Sequence, residues 1–142
     1  MARLSRTRPW FASVLLWIGT AILFILFLAG GIQKLTEETS ALRDFAHWQY
    51  PLWFMLVIGA VELGSALLLL VPPTACAGAA LIILDMAGAI VTTVRFGEGE
   101  RAVLSLILLV IAVLIAVARW PQFWGNALTA RRKSITPDVT GA

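Results

Sequence analysis

The sequence predicts an all-α protein, an integral membrane bundle of four antiparallel helices. Three observations predict it. Of the 142 residues, 60% are hydrophobic and 13% are charged, with a mean hydropathy of +0.90, far from the balance of soluble domains. Four apolar runs, 10–32, 52–71, 74–94 and 103–120, each approach the ~20 residues that a bilayer crossing needs. The stretches between them are too short to hold a soluble domain. The chain therefore divides into a basic segment 1–9, a membrane domain 10–120 with helices drawn at 10–34, 52–71, 74–95 and 102–120, and a basic tail 121–142.

The first run follows Arg3, Arg6 and Arg8, as the apolar region of a signal peptide would. It extends well past the ~7–15 residues of such a region, so it is expected to stay in the protein as a membrane helix. Trp10 and Trp17 mark its inner interface, and Gly30 with Gly31 is expected to loosen or end it near the outer surface.

The loop that follows contains Ser40-Ala-Leu-Arg-Asp-Phe-Ala-His-Trp-Gln, with Ser40 as a possible N-cap and Leu42, Phe45 and Ala46 at helical spacing. A short amphipathic helix is expected there, more as filler than as a lid over the bundle mouth. Trp48, Tyr50 and Trp53 read as an aromatic belt at the outer interface. Pro51 sets the start of the second span, and Pro72 and Pro73 force a tight inner turn before the third. The fourth is expected to end at Pro121, closed by Trp120, Phe123 and Trp124.

Charge is distributed unevenly. Arg131, Arg132 and Lys133 follow the last span, whereas the loops 34–51 and 95–101 balance their cations with Glu37, Glu38, Asp44, Glu98 and Glu100. An even number of crossings puts both ends on one side, and the positive-inside rule makes that side the cytoplasm. The net charge of +3 is thus a matter of topology and of contact with anionic lipid, not of nucleic-acid binding.

The chemistry concentrates in two residues. Glu62 and Asp85 lie near the middle of the second and third spans, where an ionised carboxylate costs roughly 2.5–3.5 kcal/mol on the lenient insertion scales. At 1.5 Å per residue they stand ~15 and ~18 Å from the same proline turn, so they reach similar depth in the hairpin. Gly59, Ser65 and Ala66 flank Glu62, and Gly78, Gly88 and Ala89 flank Asp85, with Ala60-x-x-x-Gly64 a further small-residue pair. Both acidic faces are therefore expected to point into the bundle. Lys34 and Arg95 lie near the outer ends of their helices, and neither reaches the midplane unless helix one is shifted in depth. The acids are then left to be protonated, to share a proton, to hydrogen-bond to Ser65 or Thr92, or to meet a ligand. Desolvation and like-charge proximity make at least one neutral acid the expected state at pH 7. A pair of this kind fits either proton transfer or an interhelical strut.

Other chemistries are narrowed by counting. Cys76 is the single cysteine, which excludes an intrachain disulfide shuttle, and His47 is the single histidine, which excludes a bis-histidine haem or a histidine-rich metal site in one chain. No phosphate-loop, serine-hydrolase or zinc-protease motif occurs.

Three fragments in order carry a resemblance. Gly30-Gly31-Ile-Gln-Lys-Leu, then Gly59-Ala-Val-Glu-Leu-Gly-Ser-Ala, then Gly78-Ala-Ala-Leu with Met86-Ala-Gly-Ala-Ile and Phe96-Gly-Glu-Gly-Glu resemble the DoxX family of small four-helix membrane proteins. Lys34 and Glu62 match positions typical of that family, while Asp85 lies outside its pattern. The resemblance implies a bacterial-type plasma membrane protein associated with respiratory or redox assemblies. The leading expectation is a membrane subunit of a redox complex. In it Glu62 and Asp85 handle a proton near a quinone or other apolar ligand, with Gln33, Lys34, Ser65 and Thr92 as candidate ligand-binding side chains. No metal site and no covalently held cofactor are expected, and a redox protein partner supplies the electron-transfer group; a homo-oligomer is compatible with this. The alternatives are a non-catalytic anchor or assembly protein whose acids are struts, and a small proton-coupled carrier, which the absence of an inverted repeat disfavours.

Overall fold

In a computed structural model that describes the backbone of residues 10–135 and the side chains of residues 10–120, five helices follow one another. They are α1 (Trp10–Leu35), α2 (Thr39–His47), α3 (Leu52–Leu70), α4 (Ala75–Arg95) and α5 (Gly99–Ile135). Among the described residues there is no strand. Four helices are long and apolar enough to cross a membrane: Trp10–Leu35, Leu52–Leu70, Ala75–Arg95 and the Gly99–Trp120 part of α5. The architecture is the all-α membrane bundle that hydropathy predicts. The basic segment with Arg3, Arg6 and Arg8, and the side chains of Phe123, Trp124 and Arg131 to Lys133, lie outside the described residues.

Two boundaries differ from the sequence reading. α5 does not stop at Pro121 but continues to Ile135. Proline removes one backbone hydrogen bond yet keeps a helical φ, and membrane helices tolerate the loss. α2 begins at Thr39 with Glu38 in the cap position and no side-chain cap, so Ser40 lies inside the helix.

Helices α1, α2 and α4 end the same way. Glu37 and Gln49, with φ of 53° and 58°, and Gly97, with φ of 74°, occupy the left-handed position just past each helix. The following amide bonds back to the carbonyl five residues earlier, as in Glu38 to Gln33, Tyr50 to Phe45 and Glu98 to Thr93.

α3 packs between α1 and α4, and α4 packs against α5, while the contact between α1 and α5 is small. Glycines set the closest approaches. A Cβ on Gly31 would stand 2.9 Å from the Gly59 carbonyl and the Leu63 nitrogen, and one on Gly78 would stand 2.8 Å from the Ser65 carbonyl. Backbone therefore touches backbone at α1–α3 and at α3–α4. Gly64 and Gly88 have nothing within 4 Å, so the Ala60-x-x-x-Gly64 pair is not a packing seam. Nor do Gly30 and Gly31 loosen α1, which runs through them unbroken.

An apolar core of Leu23, Phe27, Leu69, Ile82 and Ile115 fills the half of the bundle nearer the Pro72-Pro73 turn. Past it, Arg119 is buried, donates to the Thr20 hydroxyl at 3.4 Å and sits 5.2 Å over the Trp17 ring, a cation–π contact that partly replaces its lost hydration. The sequence reading did not single out this arginine.

Candidate functional site

The other half of the bundle, below α2, holds the carboxylates. Glu62 on α3 is 7% exposed, and Asp85 on α4 is half-buried with its carboxyl in electrostatic contact with Glu62 and Lys34. Both acidic faces point inward, as the flanking small residues imply.

Lys34 corrects the sequence expectation. Its Nζ lies 2.7 Å from Glu62 Oε2 and 3.0 Å from Oε1. The cause is depth. Gly31 and Gly59 bring α1 against α3 so closely that a Cβ on Gly59 would stand 2.8 Å from the Lys34 Cβ. Gly59 is seven residues into α3, so the end of α1 stops ~10 Å short of the start of α3. Helix one is shifted in depth, and its terminal lysine needs no inward reach. Arg95 is exposed at the end of α4, with its guanidinium 6.0 Å from the Phe96 ring, and takes no part.

The other candidates divide. Thr92 lines the same cavity as the carboxylates, but its hydroxyl donates to the Gly88 carbonyl at 3.0 Å and pairs with Tyr50 Oη at 3.0 Å, not with a carboxylate. Ser65 is buried and donates to the backbone carbonyl of Glu62 at 2.8 Å, away from the carboxylate. Gln33 has an exposed side chain and does not line the cavity. Among the described residues no cluster of three or more histidine, cysteine, aspartate or glutamate side chains could hold a metal ion.

Above the carboxylates is a cavity of about 700 Å³, within the range of small-molecule sites. Its floor is Lys34, Glu62 and Asp85, and its walls include Phe54, Ile58, Leu84 and Val91. Leu84 and Val91 are 70% and 69% exposed, so one wall abuts the surface that lipid covers. The Asp85 carboxyl lies within hydrogen-bond reach of Glu62 once either acid holds a proton, and its Oδ2 is buried there with no donor from any other residue.

α2 forms the roof, which corrects the filler reading. Phe45 is buried and stacks within 5.6 Å of Trp48 and 6.4 Å of Phe54. Phe45, Trp48 and Tyr50 all line the cavity, leaving Trp53, 65% exposed, as the belt residue of the expected trio. The roof is tethered to the α4–α5 turn by Asp44 to Arg101 at 3.2 Å and His47 to Glu98 at 3.5 Å, with Arg101 also 5.8 Å over the Trp48 ring. Of the three apolar residues at helical spacing, Leu42, Phe45 and Ala46, only Phe45 turns in to cover the cavity, and Leu42 and Ala46 are exposed.

An uncharacterized protein, YdgD, of Bacillus subtilis (strain 168) is 42% identical over 45 residues, which take in 32% of this chain. The chain spans 40% of the length of that relative. No solved structure matches. The model of the DoxX-like family matches residues 18–115, a stretch that contains Lys34, Glu62, Asp85 and the whole roof. With more than half of its length accounted for in this way, the chain belongs to the DoxX-like family.

Proposed function

We propose that the chain is a redox-associated membrane subunit that holds a quinone, or a similar apolar ring bearing polar oxygens, beneath α2 and exchanges protons with it through Asp85 and Glu62. The observation that carries this reading is the carboxyl pair of Asp85 and Glu62, within hydrogen-bond reach of each other and with Asp85 Oδ2 buried, in a cavity with apolar walls and a fixed cation at its floor. A buried polar atom without a partner costs free energy that a ligand hydrogen bond would recover. Quinone reduction takes up protons along with electrons, and the electrons come from a partner protein, since this chain carries a single cysteine and no redox group of its own.

The residues divide the work. Lys34 balances the charge of Glu62, so the pair adds no net charge to the site. Asp85 is then the acid without a counter-charge of its own, and its neutral form is the cheaper one to bury. It supplies the transferable proton, and Glu62 beside it is the group through which the proton is replaced. The charge pattern supports a plasma membrane of bacterial type with both termini cytoplasmic, which puts α2 on the outer face.

Native mass spectrometry of the chain extracted from its host tests this. A bound quinone or a redox protein at fixed stoichiometry supports it, and a chain carrying only phospholipid refutes it. A second reading, a non-catalytic anchor, is favoured by the way Lys34 and Glu62 tie α1 to α3. Glu62→Gln separates the two: an anchor keeps assembly and partner activity, while a proton-handling subunit assembles and loses activity.

A further inference from the structure

The cavity has a second buried polar atom without a partner, at the opposite end from the first. Trp48 lines the roof, and its indole Nε1 is buried with no hydrogen-bond acceptor. An indole N–H is a donor only, and when buried it usually finds an acceptor. Its guanidinium neighbour, Arg101, cannot serve, because it too only donates. Tyr50, two residues further on, is bonded to Thr92. Thr92 lies two turns of α4, ~10 Å, from Asp85. The site therefore presents an unused donor at its roof and an unused carboxyl oxygen near its floor, with Phe54, Ile58 and Met86 between them.

We infer that Trp48 is a ligand-binding residue, whose indole N–H donates to a polar atom at the far end of a ligand held at its near end by Asp85. The ligand class follows from the chemistry of the two groups. It is an apolar ring with acceptor oxygens at two opposed positions, as in a para-quinone, so that each of the two buried atoms gains a hydrogen-bond partner. A molecule with one polar end leaves one of the two buried atoms unsatisfied and is discriminated against for that reason. This inference rests on the proposed reading of the cavity as a quinone-type site and adds to it the residue that selects a two-ended ligand.

The test is binding of decyl-1,4-benzoquinone, with 4-decylphenol as the one-oxygen control, to the full chain in lipid nanodiscs. Trp48→Phe keeps an aromatic ring under Arg101 and removes the donor. Quinone affinity is expected to fall roughly tenfold, the worth of one hydrogen bond to a buried donor, and the phenol to bind both proteins alike. The ligand-free melting temperature is expected to hold or rise, because an unpaired buried N–H has been removed. Trp48→His, which retains a ring N–H, is expected to regain part of the quinone affinity. Equal quinone binding by the parent and Trp48→Phe overturns the role of Trp48 and leaves the quinone reading standing. A parent chain that binds no quinone overturns both. A large drop in ligand-free stability of Trp48→Phe would show that the indole N–H has a structural partner, and would also overturn the inference.

Discussion

The Lys34 ammonium lies 2.7 Å from one oxygen of Glu62 and 3.0 Å from the other, joining the last turn of α1 to the middle of α3 across side chains that are 19% and 9% exposed. A pair so placed is costly to break from one side only. Lys34→Met leaves a carboxylate in an apolar setting, and a loss of roughly 3 kcal/mol in stability is expected, at the low end for buried pairs because Lys34 keeps some exposure. The double variant Lys34→Met with Glu62→Leu is expected to regain most of it. Melting curves of the four proteins in one detergent form the double-mutant cycle, and additive losses would show that the pair is not coupled.

The glycine seam that creates this pair makes a second prediction. A side chain at Gly31 meets the Gly59 carbonyl and the Leu63 nitrogen, both at 2.9 Å, and neither backbone atom can step aside. Gly31→Val should force α1 away from α3, destabilise by roughly 1–3 kcal/mol and pull Lys34 off Glu62. Gly64→Ala, with nothing within 4 Å, is the contrast: it should be neutral or stabilising by up to about 1 kcal/mol, as alanine is in a helix interior. Thermal stability measured on both variants side by side checks the assignment, and a reversal of their order would refute it.

What the sequence revealed and concealed follows from the same seam. Hydropathy alone located every span, because length and apolar content decide a membrane crossing. The inward facing of Glu62 and Asp85 was also legible, from the small residues at helical spacing around them. Lys34 was misplaced because hydropathy says how long a helix is and not how far it slides along its neighbour. The offset comes from Gly31 against Gly59, two glycines 28 positions apart, and only the packed structure says that they meet. Trp48 and Tyr50 look like belt residues in the sequence for a related reason: an aromatic at an interface and an aromatic turned in over a cavity have the same sequence context. Pro121 resembles a stop because proline ends most soluble helices, whereas a helix already formed through the membrane tolerates one lost hydrogen bond and runs on to Ile135.

The charge at the floor leads to a spectroscopic prediction. One cation faces two carboxyl groups, and Glu62 takes both contacts from Lys34, leaving Asp85 with no ion pair and with Glu62 as the neighbour to which it can donate a proton. Burying that group as a neutral acid avoids an uncompensated charge. Infrared spectra of the protein at neutral pH should therefore show the carbonyl stretch of a protonated carboxyl group. Asp85→Asn should abolish the band with little change in stability, whereas Glu62→Gln should leave a band in place. A spectrum without the band in the parent protein would mean that both acids are ionised, and that solvent or a ligand compensates the second.

The roof helix gives the last prediction. α2 is held from above by Asp44, whose contact to Arg101 is exposed, and by His47, whose contact to Glu98 is half-buried on the glutamate side, and from below by Phe45, which is buried. Exposed ion pairs are worth at most about 1 kcal/mol, so Arg101→Gln should barely move the melting temperature. Its effect should be local. Arg101 contacts Asp44, Glu98 and the Trp48 ring, and its removal loosens the covering of the cavity without touching the core. Amide hydrogen exchange over residues 39–47 is expected to quicken several-fold in Arg101→Gln, while α3 and α4 remain protected. High salt should quicken the parent protein in the same segment and leave the variant nearly unchanged, because screening removes the same interaction that the substitution removes. If exchange in α2 is unaltered by both, Phe45 alone seats the roof and the ion pairs are incidental to access.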